Sequence, residues 1–517
     1  MQILMVAAEN GIISGAKVGG VADVIRDVPI ALAAEKQSVD IVIPDHGNFH
    51  QKNKSVLVSQ LDVSFRGEIT QVSLYQLYLT DQESGNRQYI VAHDSFSQEN
   101  GQVYYHDYDK GPFASDANKF ALFSLAVCEF MLNGDIKRPD ILHLHDWHTA
   151  TISVLLTYDL KYQKLETIKR IYSIHNIALQ GIRPFNQDES SLEAWFPQLS
   201  YNGELICDPQ FLHCYNPMRA GINLNHKVHV VSPNYCLEIL QESNHEQGFF
   251  GGEGLEGDLR KKHANRDVIG VLNGCDYESL DVQQADYSMF LGDAKKALLR
   301  FSSHSSILEP AIFIANERIN QWMNHTVFSG PLVTNVGRLT SQKVSLLFDD
   351  YQHQQIFSSL LTELELHQGR FILIGSGDKI IEKAFTKFMA IHDNFLFING
   401  YDEALSSQLY ALGDLFFMPS SFEPCGISQM LAMKHGQPCL VNDVGGLTDT
   451  VKHNENGFVF SGNNKKEKIT SLIKVFQLAL DTYCNHAEKY QTLADSAKSQ
   501  RFSWKKSINE YIEKLYQ

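Results

Sequence analysis

Two doubly wound α/β domains are the fold that this 517-residue chain predicts. Three observations predict it. Short, uninterrupted apolar runs recur along the whole length, helical patterns separate them, and small-residue turns follow several of the runs. Unbroken apolar strands alternating with helices imply parallel sheets covered on both faces. The rhythm occurs twice, so the sheets are expected to be two.

In the first half the strands are expected at Ile3–Ala7, Val39–Ile43, Ile141–Leu144, Ile171–Ile174, Val228–Val231 and Val268–Leu272. Helical patterns follow at Val21–Ala34, Thr149–Leu160 and Pro233–Glu242. The alternating stretches Val72–Leu79 and Gln88–Val91 read as half-buried strands, a hairpin beside the main sheet. The second half expects strands at Leu332–Val336, Phe371–Ile374, Phe395–Ile398, Leu415–Met418 and Cys439–Val441. Helices intervene at Leu346–Leu366, Lys379–His392 and Ile427–Lys434. Helical patterns without strands close the chain at Lys465–Leu480, Ala487–Lys498 and Lys505–Tyr516. The expected domains are 1–276, a divergent linker over 277–330, then 331–500, with a helix over 501–517 returning to the first domain.

Composition narrows the function. Lys and Arg number 44 against 60 Asp and Glu, a net charge of −16. That disfavours a nucleic-acid backbone or an anionic membrane as partner, but leaves room for a local basic pocket. The eight cysteines are scattered with no C-x-x-C pair, which fits reduced thiols in a cytoplasm. The opening MQILMVAAEN lacks a basic region and meets Glu9 early, so it reads as a strand and not a signal peptide. The longest near-apolar run, Ala121–Leu132, is too short to span a bilayer.

Ligands in open parallel sheets sit at the carboxyl ends of strands, and the polar motifs fall there. Lys17-Val18-Gly19-Gly20 follows the first strand and opens a helix. Its glycines permit close backbone approach and the helix N-terminus favours an anion; a plain turn with a solvated lysine is equally open. His143-Leu144-His145-Asp146-Trp147-His148 ends another strand. The order differs from the H-x-H-x-D-H of metallohydrolases, so a substrate-facing loop is expected and no metal. Ser173-Ile174-His175-Asn176 ends a third. In the second half, Arg338 and Lys343 in Gly337-Arg338-Leu339-Thr340-Ser341-Gln342-Lys343 can converge on one diphosphate. Gly375-Ser376-Gly377-Asp378, Glu423-Pro424-Cys425-Gly426-Ile427-Ser428 and Gly445-Gly446-Leu447-Thr448 are further strand-to-helix turns. Four such loops, one of them carrying two cations, point to a nucleotide-diphosphate site.

These words resemble the glycogen/starch synthase family, retaining glycosyltransferases of the GT-B fold. K-V-G-G-V-A-D-V, H-D-W-H-T-A, S-I-H-N-I-A-L-Q-G, V-V-S-P, V-L-N-G-C-D, G-R-L-T-S-Q-K, G-S-G-D, F-E-P-C-G-I-S-Q, V-G-G-L-T-D-T-V and F-S-W occur in family order across nearly the whole chain. The resemblance implies two Rossmann-like domains facing a central cleft that closes to exclude water. It implies transfer of glucose from ADP-glucose to the non-reducing end of an α-1,4-glucan such as glycogen, with no cofactor. Lys17 would contact the distal phosphate and sugar. Arg338 and Lys343 would hold the diphosphate, Glu423 the glucose hydroxyls, and His175 would lie close to the reacting sugar. Asp146 would face the acceptor side, with Asp23, Asn176, Gly19 and Gly20 also binding substrate. Gly375, Ser376, Gly377, Gly426, Ser428, Gly446 and Leu447 would line the nucleotide. The lone D-x-D, Asp107-Tyr108-Asp109, is then expected to be a surface turn.

The chain departs from the family at Val21, at Tyr277-Glu278-Ser279-Leu280, at Val344, and at Leu431, where many related transferases carry a second acid. Two alternatives stay open: a UDP-glucose-using GT-B transferase and an inactive glucan-binding paralogue.

Overall fold

The structure, a computed structural model, describes residues 1–79, 85–98, 101–105, 107, 111–277, 286–303, 309–324 and 328–517. The chain divides into two compact units. The first comprises Met1–Ser243, Gly251–Gly274 and Trp504–Gln517; the second comprises Asn244–Phe250 and Cys275–Ser503.

The first unit is built on β1 (Gln2–Val6), β2 (Ser38–Pro44), β3 (Ser55–Phe65), β4 (Glu68–Leu77), β5 (Arg87–Ala92), β6 (Ile141–His145) and β7 (Lys169–Ile174). A small antiparallel pair follows, β8 (Arg183–Pro184) and β9 (Cys214–Tyr215), and then β10 (Lys227–Val230) and β11 (Val268–Gly270). The main sheet runs β11-β10-β7-β6-β1-β2-β5-β4-β3. It is parallel from β11 to β5, and β4 and β3 add an antiparallel extension. β1 and β6 are wholly buried, as central strands of a parallel sheet covered on both faces are. The expected hairpin is found as β4 and β5. Its outer partner β3 has no counterpart in the sequence reading, because Val56, Leu57 and Val58 are exposed on the sheet edge and show no inside-outside alternation.

The second unit holds β12 (Leu332–Val336), a short antiparallel pair β13 (Asp350–Tyr351) and β14 (Gln354–Gln355), β15 (Arg370–Gly375), β16 (Phe395–Asn399), β17 (Leu415–Met418), β18 (Cys439–Asn442) and β19 (Gly457–Phe460). Its sheet is parallel throughout in the order β16-β15-β12-β17-β18-β19.

Residues read from sequence as a divergent linker are part of this second unit. Helices Tyr287–Ser303 and Pro310–Asn324 bury Phe290, Leu291, Ala294, Ala297 and Leu298, then Ile312, Ala315, Ile319 and Trp322, in its core. Arg318 ties the second helix down through Asp393 at 2.6 Å and the Met389 carbonyl at 2.8 Å. The apolar stripes have helical spacing; interspersed polar residues hide them from a search for unbroken runs. Glu278, Ser279 and Leu280 lie outside the described residues.

The last segment, Trp504–Gln517, packs in the first unit. Trp504, Ile508, Tyr511, Leu515 and Tyr516 join the cluster of Ile3, Met5, Ile25 and Ile171. Among the described residues no helix is long and apolar enough to cross a membrane.

Candidate active site

In each unit the polar motifs lie where the strand order reverses. β1 neighbours β2 on one side and β6 on the other, so the turns leaving β1 and β6 open beside one another. In the second sheet β12 occupies the same position between β15 and β17.

The turn after β1 is organised by a residue that the sequence did not single out for a role. Glu9 is 2% exposed. Its Oε2 accepts the N–H groups of Val18 (2.6 Å) and Gly19 (2.7 Å), and its Oε1 accepts the Tyr104 hydroxyl (2.7 Å). The amides expected to cradle an anion are therefore already engaged at these two positions. Gly19 is extended and caps the helix Gly20–Ala34 without a side-chain bond. Lys17 supplies the charge. Its ammonium lies 2.7 Å from Asp23, which also pairs with Arg26 at 3.0 Å, so Asp23 orients Lys17.

Asp146 leaves β6 with φ of +55° and ψ of −178° and precedes the helix Trp147–Tyr158. That backbone region is nearly glycine's own and costs about 1–3 kcal/mol elsewhere in proteins. The strained turn aims the carboxylate at β7, where Oδ1 accepts the His175 amide at 2.8 Å. Burial pushes the Asp146 carboxyl up to about 7, against the opposing bonds from the His175 and Asn176 amides. Asn176 uses its own Oδ1 to accept the Ala178 N–H (3.0 Å).

His175 Nε2 meets His145 Nδ1 at 3.0 Å. Burial lowers His175 to about 4 and holds His145 well below the usual imidazole range, so both are neutral near pH 7. His145 stacks on His143 with centroids 4.4 Å apart. His143 is in turn bonded to Tyr516 (2.8 Å) and Ser173 (2.7 Å), and Ser173 to His229 (2.8 Å). The histidines expected to face substrate are thus partly a buried network under the strand ends. Among the described residues no group of three or more His, Cys, Asp or Glu could hold a metal ion. Asp107 accepts the Ser115 amide and hydroxyl at 2.8 and 2.6 Å; Tyr108 and Asp109 lie outside the described residues.

In the second unit Arg338 follows β12, and its exposed guanidinium has no partner among the described residues. Lys343, on the short helix Ser341–Val344, forms an ion pair with Glu423 from the loop after β17. Ser420 donates to the same Glu423 oxygen at 3.0 Å. Glu423 is 5% exposed, so this loop buries a carboxylate with a cation and a hydroxyl as partners. Its backbone carbonyl accepts the Gly446 N–H at 3.0 Å, which joins the two glycine turns.

The remaining glycines serve packing. A Cβ on Gly375 would lie 2.1 Å from the Gly337 carbonyl oxygen, and one on Gly377 2.4 Å from that of Leu339. The loops after β12 and β15 are zipped together through Leu339 N–H to the Ser376 carbonyl (2.9 Å). Gly377 donates its own N–H to Glu382 (2.8 Å), so that amide is not free for a phosphate. Gly426 has φ of +78°, and Ser428 opens the helix Ser428–Lys434. Gly446 approaches the Cys425 backbone so closely that a Cβ would lie 2.3 Å from its carbonyl oxygen, and Leu447 is buried beside it. Leu431 packs against the hydrophobic core.

Two doubly wound units with polar loops at both points of strand reversal define a sugar-nucleotide transferase architecture, and the comparisons agree. Residues 2–261 match the starch synthase catalytic domain and residues 330–498 match glycosyl transferases group 1. The chain is 30% identical to a glycogen synthase from Exiguobacterium sibiricum over 96% of its own length and 95% of that protein. It is 30% identical to a glycogen synthase from Streptococcus pneumoniae over 99% and 98%. A solved structure, the catalytic domain of starch synthase IV from Arabidopsis thaliana bound to ADP and acarbose, superposes with a TM-score of 0.74 at 26% identity, covering 100% of this chain and 98% of that one. The chain belongs to the glycogen/starch synthase family of glycosyltransferases.

Proposed function

We propose that the protein transfers glucose from ADP-glucose to the non-reducing end of an α-1,4-glucan, with retention of configuration. The observation that carries this reading is the set of loops at the strand reversal of the second unit. There the unpartnered Arg338 and the Lys343–Glu423 pair combine two cations with one buried carboxylate. A glucosyl diphosphate presents the complementary groups, two phosphates and a ring of hydroxyls. The ADP and acarbose held by the starch synthase IV structure support an adenine nucleotide and a glucan-like acceptor.

In the reaction the bond from glucose C1 to the β-phosphate oxygen breaks, and its electron pair leaves with ADP. A bond forms between C1 and O4 of the acceptor, and the proton of that hydroxyl passes to the departing diphosphate. Negative charge grows on the leaving diphosphate, and fixed cations stabilise it without reorganising. Arg338 and Lys343 hold the diphosphate, and Lys17 contacts the distal phosphate. Glu423, released from Lys343 by the incoming phosphates, accepts hydrogen bonds from the glucose hydroxyls. His175 is neutral and so serves as a hydrogen-bond partner close to the reacting sugar. Asp146, with Asn176, orients the loop on the acceptor side. The eight cysteines form no disulfide among the described residues, which favours a reducing compartment, the cytoplasm.

The test is ADP release from ADP-glucose with glycogen present, beside UDP release from UDP-glucose. Faster turnover with UDP-glucose overturns the choice of base. Activity that survives Lys17→Ala or Glu423→Ala unchanged overturns the site.

A further inference from the structure

At the amino-terminal edge of the first sheet, away from the loops of the active site, cations collect. β7 begins Lys169-Arg170, β10 begins at Lys227 just after His226, and the helix Glu256–Ala264 ends in Lys261-Lys262-His263. The parallel register of β7 and β10 sets Arg170 beside His226. The Arg170 N–H donates to His226 Nδ1 at 3.0 Å, and the His226 N–H donates to the Arg170 carbonyl at 3.0 Å. Lys262 reaches the same place, its ammonium donating to the carbonyl of Asn225.

Arg170 is 8% exposed. Its Nη1 donates to Thr157 Oγ1 at 2.9 Å, and its buried Nε has no partner. Three other buried or half-buried arginines each have a carboxylate: Arg183 with Asp188, Arg219 with Asp258, Arg318 with Asp393. Arg170 departs from them. Among the described residues no carboxylate comes within ion-pair distance of Arg170, His226 or Lys262. Asp258, four residues before Lys262, pairs with Arg219, and Asp267, five residues after it, lies 3.9 Å from Lys227. Buried charge is costly unless paired, so a cationic cluster of this kind implies a counter-anion from solution.

Burial holds all three groups below their ordinary pKa values. Arg170 and Lys262 lower His226 further, while Glu166 and Asp267 favour the charges on Arg170 and Lys262 without bonding to them. The amide on His226 Nδ1 also fixes the tautomer. The neutral ring carries its proton on Nε2 and is a donor there. The cluster offers a guanidinium, an ammonium and a neutral imidazole N–H.

We propose that Arg170, His226 and Lys262 form a binding site for a small phosphate monoester or inorganic phosphate, separate from the sugar-nucleotide site. Two positive charges and a neutral N–H donor match a dianion better than a monocarboxylate.

Hydrogen exchange of the full chain, followed peptide by peptide with inorganic phosphate as probe, tests this. Acetate and chloride at equal ionic strength are the controls. Phosphate at about ten times its Kd should slow exchange across 157–171, 225–228 and 262–268 by roughly tenfold, as 1 + [L]/Kd requires. Acetate and chloride should not. Lys262→Met and Arg170→Met should abolish the slowing there, leave any phosphate effect at 17–23 and 337–343 intact, and in Lys262→Met leave glucosyl transfer unchanged. Absence of slowing in the wild type, equal slowing by acetate, or slowing that persists in Lys262→Met overturns the proposal.

Discussion

Glu9 offers the sharpest test of how the first unit holds Lys17. The carboxylate is buried and accepts three donors, the amides of Val18 and Gly19 and the Tyr104 hydroxyl. Hydrogen bonds to a charged group contribute about 1.5–3 kcal/mol each, and neutral ones about 0.5–1.5. Glu9→Gln keeps an acceptor facing the two amides but removes the charge, so it should cost about 1 kcal/mol per amide, or roughly 2 kcal/mol. Glu9→Ala strands all three donors, at about 1–3 kcal/mol apiece. With about 2–4 °C lost per kcal/mol in a domain of this size, Glu9→Gln should melt roughly 4–8 °C lower and Glu9→Ala lower still. Loss of the anchor also frees the turn that carries Lys17. A displacement of about 1 Å can cost about a hundredfold in rate. Glucosyl transfer by Glu9→Ala should therefore fall about a hundredfold in kcat, with Glu9→Gln between it and the wild type. Thermal unfolding and initial-rate ADP release measure both effects. A Glu9→Ala protein that melts within about 1 °C of the wild type, contrary to the expected loss, would refute the reasoning. So would unchanged kcat.

Lys343→Met should lower kcat by about 10²–10³, the usual cost of one preorganised group at a developing anion. It should also lower the melting temperature, because Glu423 keeps only Ser420; adding Glu423→Gln should restore part of the stability and none of the activity. Gly446→Ala forces a Cβ to 2.3 Å from the Cys425 carbonyl oxygen, and calorimetry should record a loss of about 1–3 kcal/mol. The pH dependence of unfolding should reflect two opposed groups. Asp146 is raised to about 7 on folding, so its contribution is complete below about pH 4 and is lost as pH rises through about 7. His175 is lowered to about 4, so its contribution is complete above about pH 6.5 and is lost as pH falls through about 4. In Asp146→Asn the first slope disappears, and stability should fall more steeply than in the wild type as pH drops from about 6.5 to about 4. Parallel curves for the two proteins in denaturant titrations would contradict the burial of that carboxyl.

What the sequence determined by itself is the local alphabet of the fold. Unbroken runs such as Ile3–Ala7 read as buried parallel strands, and they are, because a run apolar on every residue has no face to show to water. The polar words fall after those strands, which marked Lys17, Asp146, His175, Arg338 and Glu423 as candidates. Exposed or interrupted patterns escaped it, as β3 and the helix Pro310–Asn324 show.

Tertiary structure decided the partners. Glu9 read only as a charge that breaks a signal peptide, yet it anchors the glycine turn together with Tyr104, a residue 95 positions away. Lys343 meets Glu423 across 80 positions, and His143 meets Tyr516 across 373. Gly377 read as lining the nucleotide; the fold bonds its amide to Glu382 and packs it against the Leu339 carbonyl. The physical reason is the same in each case. Periodicity is a property of neighbours along the chain, whereas a buried polar group is satisfied by whatever the packing of distant strands brings within about 3 Å of it.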